Sequence, residues 1–189
     1  MGLRYYVRAR LLKVRDFEDV LCLLQFVLFV VYVGLACQWI ELGAGYHQVN
    51  IPQQRLSTLL YWGNVVQIFY PVVVGSTKVT ILYMYLKLFA PSRYTRNWHV
   101  LVLLLVANVA FYLAAMFLKI FQCSPRTKIW IPSDDGTCLS NVQLQTATAS
   151  WNTISDLAIV ALPGLFISQL NFGRKQKLRT IFCFTLAAM

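Results

Sequence analysis

An all-α, polytopic transmembrane helix bundle is the fold class this sequence predicts, with four full spanning helices and a truncated fifth. Three observations predict it. The 189 residues are 58% hydrophobic and only 13% charged, with a mean hydropathy of +0.59, too apolar for an ordinary soluble domain. The apolar residues gather into runs of the roughly 20 residues that a helix needs to cross about 30 Å of hydrocarbon. The basic residues, finally, collect in alternate loops, as they do around membrane spans.

Four segments pass the length test: α1 over about 17–40, α2 over about 61–86, α3 over about 100–121 and α4 over about 144–170. A fifth apolar run, TIFCFTLAAM from Thr180, has ten residues to the last position and reaches only about halfway across. Residues 1–16 form a basic arm with Arg4, Arg8, Arg10, Lys13 and Arg15. A cleavable signal has a shorter apolar core and a small-residue cleavage site, so the run after this arm reads as a retained span. Tyr6 stands where a myristoylated chain needs Ser or Thr. Pro71 and Pro163 lie inside α2 and α4 and should kink them, and Gly75, Ser76 and Thr77 would admit a close neighbour.

The basic residues set the orientation. Twelve of the 17 lie in the arm, the α2–α3 loop and the run after α4, among them Lys87, Arg93, Arg96, Arg174, Lys175, Lys177 and Arg179. The opposite loops hold Arg55, Lys119, Arg126 and Lys128, with Lys119 at a helix end. The arm and the Lys- and Arg-rich loops are therefore expected to face the cytoplasm, so that α2 runs from outside to inside. The net charge of +10 then reads as orientation and attraction to anionic headgroups, with no call for nucleic acid. Trp39, Tyr61, Trp62, Trp98, Trp130 and Trp151 fall near the helix ends, where amphipathic rings settle.

Few residues carry chemistry. Lys78 and Asp156 are the formal charges deepest in the apolar segments, about 8 Å apart in depth. They are expected to form an intramembrane polar pair, a ligand or ion site and a snorkelling lysine being the alternatives. Cys123 and Cys138 share one exterior loop and are expected to form a disulfide, with Cys37 as the competing partner. Gly43 and Gly45 flank a bend before His47, which reads as an interfacial histidine, and Asp134-Asp135-Gly136 is turn chemistry. No zinc spacing, nucleophile elbow or phosphate loop is present, so neither an enzyme nor a metal or other cofactor is indicated.

Several fragments in register are similar to the fungal rhodopsin-domain integral membrane proteins, a seven-helix, receptor-like group. They are Arg8 with Glu18-Asp19, then Gly43 to His47, then Lys78 to Ile81 with Tyr85 to Phe89. Phe121 to Pro125 follow with Trp130 and Cys138, and then Asp156, Leu162-Pro163 and Gln176-Lys177. The resemblance covers nearly the whole chain. It implies a single, partial domain over 1–189 in which α1 to α4 are the second to fifth helices and the run from Thr180 begins the sixth. It also implies a sensing or signalling role for an unspecified ligand. The expected partners are the lipid bilayer, a cytoplasmic signalling protein and other chains in an oligomer, in the plasma membrane or an endomembrane. A transporter using Lys78 and Asp156 is the alternative, and a nonfunctional truncated product is the bland one.

Overall fold

The computed structural model describes residues 17–45, 52–90, 95–131 and 135–169. The basic arm, His47, Arg93, Arg174, Lys175, Lys177, Arg179 and the run from Thr180 lie outside the described residues. Within them the fold is all-α: α1 is Phe17–Glu41, α2 Gln53–Phe89, α3 Arg96–Ile120 and α4 Asn141–Gln169. Two short strands, β1 (Cys123–Ser124) and β2 (Thr137–Cys138), pair antiparallel around a 3-10 turn at Arg126–Ile129.

Local chemistry sets the helix ends. After α1, the Ala44 N–H reaches the Trp39 carbonyl and the Gly43 N–H the Ile40 carbonyl, a Schellman closure. It requires a left-handed residue at Gly43, whose φ is 109°. α2 stops ahead of Pro91, which disfavours helical geometry at Ala90. Thr95 caps α3, its Oγ1 accepting from the Trp98 N–H at 3.4 Å.

Among the described residues three helices are long and apolar enough to cross a membrane: α1 from Asp19, α2 from Arg55, and α3. α4 has the length, with 29 residues, but its described part lacks the apolarity. Gln143, Gln145, Asn152 and Asp156 dilute its first half.

The described residues fall into two compact units, which divide α2 after Thr80 and α3 after Asn108. The first unit holds α1, the earlier part of α2, the later part of α3 and the strand hairpin. Here α1 and α2 pack antiparallel with contacts every seven residues on each helix. Trp39 meets Gly63, Tyr32 meets Tyr70 and Gln25 meets Thr77, the members of each pair summing to 102. A heptad-spaced seam is the signature of left-handed helix packing. Away from this seam α1 exposes Leu23, Phe26, Val30 and Val33, as suits a lipid-facing surface.

The second unit holds the later part of α2, the earlier part of α3, and α4. Its core is Leu82, Tyr85, Leu101, Ile159, Leu162 and Phe166, with the Phe89 and Phe166 rings 5.6 Å apart. On α4, Ser155, Ile159, Leu162 and Phe166 recur at intervals of three and four, the spacing of one helical face.

Candidate functional site

In the first unit α2 carries its polar side chains on two faces. Towards α1, Ser76 Oγ and Thr77 Oγ1 donate to the Val73 carbonyl at 2.9 and 2.8 Å. Such back-bonding bends helices, and here it comes just after Pro71, which has no N–H to offer the carbonyl four residues earlier. Gln25 closes the group, its Nε2 donating to Thr77 Oγ1 at 2.5 Å and to the Val73 carbonyl at 3.3 Å. Its Oε1 accepts from Ser76 Oγ at 2.5 Å.

The other face of α2 bears Tyr61, Asn64, Gln67, Gly75 and Lys78 at helical intervals of three and four, with one longer step spanned by Pro71. It meets α3. Lys119 Nζ donates to Gln67 Oε1 at 2.9 Å. Two turns on, Gly75 lets Tyr112 approach so closely that an added Cβ would lie 3.1 Å from the Tyr112 Cβ. Lys78 Nζ then stands 5.5 Å from the centre of the Tyr112 ring. A cation over an aromatic face gains about 2 kcal/mol or more when desolvated, and Lys78 is 3% exposed.

Asp156 belongs to the second unit and lies on the exposed side of α4, one position after the buried Ser155. Cys123 and Cys138 form a disulfide, with S–S of 2.05 Å, while Cys37 is a free thiol. The hairpin they close is tied by Lys128 Nζ donating to the Gly136 carbonyl at 2.6 Å. A Cβ at Gly136 would fall 2.5 Å from the Ser124 carbonyl oxygen, so glycine is required there. Trp130 leaves this hairpin to set its ring edge-on against Tyr61, centroids 5.6 Å apart. Gly43 and Gly45 both take positive φ in the turn after α1, and Arg96 is exposed in the first turn of α3.

Sequence reasoning passed over Gln25, Asn64 and Lys119. Gln25 is the only amide in the apolar stretch from Val20 to Ala36, a signal open to view. Lys119 reads as a helix-end cation, yet it is 6% exposed. Among the described residues no three His, Cys, Asp or Glu side chains could together hold a metal ion.

A family model for the fungal rhodopsin domain matches residues 3–189. The chain is similar to a SAT4 family membrane protein of Emericella nidulans, 37% identical over 72% of this chain and 36% of the relative. It is also similar to fugralins biosynthesis cluster protein 2 of Gibberella zeae, 28% identical over 99% of this chain and 48% of that one. The chain thus spans between about a third and a half of the curated relatives it matches. No solved structure matches it.

Proposed function

The chain belongs to the fungal rhodopsin domain family, and from that premise we propose that it is a receptor-like integral membrane protein sensing a cue at its exterior face. The observation that carries this reading is α2 itself. It is one 37-residue helix that holds Trp130 of the hairpin at Tyr61 and ends on Lys87 in its last turn. With the basic residues inside, the hairpin is exterior and α2 links the two aqueous faces. Lys87, Arg93 and Arg96, with Arg174, Lys175, Lys177 and Arg179, then supply the basic surface for a cytoplasmic signalling partner, in the plasma membrane or an endomembrane.

The test is a transcriptional reporter in a fungal strain carrying the chain. Changing Lys87, Arg93 and Arg96 together to Gln is expected to abolish the response while leaving the amount of membrane-inserted protein unchanged. An undiminished response sinks the signalling reading. The two buried lysines in the α2–α3 seam favour transport as the second reading, for which solute flux in proteoliposomes, lost in Lys78→Met, is the discriminating measurement.

A further inference from the structure

The hairpin after α3 leaves large apolar side chains uncovered: Phe121 is 68% exposed, Leu139 50% and Ile131 40%. Single exposed apolar residues are ordinary, but these three gather at one level. Phe121 continues the exposed stripe of α3 through Leu113 and Phe117 at steps of four, a face that suits lipid. Leu139 stands beside it, one rung beyond the Cys123–Cys138 pair, its N–H donating to the Gln122 carbonyl at 2.8 Å. Ile131 follows Trp130, whose ring rests on Tyr61 where the apolar run of α2 opens. These attachments hold all three side chains where the apolar runs of α2 and α3 reach the headgroups.

The backbone at the three positions is closed. The Phe121 N–H donates to the Phe117 carbonyl and the Ile131 N–H to the Thr127 carbonyl, both at 2.9 Å, and the Leu139 N–H is the one already bonded to Gln122. Water would satisfy these groups in a loop standing clear of the membrane, whereas a segment that enters a water-poor region must bring its own partners. Arg126 and Thr127, on the 3-10 turn, are polar and exposed. We infer that the hairpin is seated in the bilayer surface: Phe121, Ile131 and Leu139 enter the acyl boundary of the adjacent leaflet, and the Arg126–Thr127 turn stays in water. The Tyr61 and Trp130 rings lie between, at headgroup level, where such rings settle. The partner is phospholipid, because the lipid that covers α3 at Phe117 continues without a break to Phe121 one turn on. The seat holds for either leaflet, so it goes beyond the receptor-like reading and does not depend on it.

The test is electron paramagnetic resonance on the full chain in phospholipid nanodiscs, with a nitroxide placed in turn through Phe121→Cys, Ile131→Cys, Leu139→Cys and Thr127→Cys. Cys22, Cys37 and Cys183 are changed to Ala, so that the Cys123–Cys138 disulfide is kept and only the new thiol takes the label. All four labelled positions are exposed, which leaves the packing undisturbed. Collisions with oxygen, which concentrates in hydrocarbon, are compared with collisions with a water-soluble nickel chelate. For the labels replacing Phe121, Ile131 and Leu139, oxygen access is expected to exceed chelate access several-fold, and for the label replacing Thr127 the order should reverse. Chelate access at Ile131 and Leu139 as high as at Thr127 puts the hairpin in water and overturns the seat. Low access to both reagents overturns it too, since that marks packing against protein. Neither result alters what the reporter reads, so the seat and the receptor-like reading fail separately.

Discussion

α2 packs through two seams in the first unit, and the two treat polar groups in opposite ways. Against α1 the polar members are neutral and bonded to one another: Gln25, Ser76, Thr77 and one carbonyl that accepts from all three side chains. Against α3 two ammonium groups are buried, one held by an amide and one over a ring. In a bilayer, apolar surface gives little drive for helices to meet, because lipid is as apolar as Leu. A closed neutral network therefore serves as glue. Buried cations carry a desolvation cost that the lipid reference does not return, and they persist where function needs them.

The difference can be broken at four positions. Gly75→Ala is expected to do most harm, about 1–3 kcal/mol, because the new methyl meets the Tyr112 Cβ and neither helix backbone can retreat cheaply. Thermal unfolding in detergent reads it. Gln25→Leu should cost about 1 kcal/mol, in the range of interhelical hydrogen bonds in membranes, and a melting temperature equal to wild type would deny the node its role. Gly63→Ala should cost roughly half a kcal/mol. The atoms it meets are those of the Trp39 indole near the end of α1, which can turn aside. Lys78→Met is expected to leave stability at or slightly above wild type, since an apolar side chain of similar length removes a buried charge. A fall as large as that of Gln25→Leu would make both seams structural and end the contrast.

The helices were legible because length and apolarity are what a bilayer demands, yet their outer ends were not. α2 begins at Gln53, eight residues before the apolar run, since QQRLSTLL needs only backbone hydrogen bonds to continue a helix into water. The same holds for Arg96 and Asn97 at the start of α3. Which faces meet was hidden, because a helix that is apolar all round has no stripe to read. Only the residues that break the run, such as Gln25, report the seam. The disulfide was legible from two cysteines in one short loop, whereas the pairing of Tyr61 with Trp130 depends on where that loop folds back.

With 37 residues α2 is about 55 Å long, against roughly 30 Å of hydrocarbon. A helix that overruns the bilayer must tilt, bend or stand out into water, and the balance shifts with membrane thickness. α1 and α3, at 25 residues each, have far less excess to accommodate. The longest helix is therefore the one whose inclination responds most to the lipid around it. Moving the protein between thin and thick bilayers should alter the angle of α2 before it disturbs either neighbour.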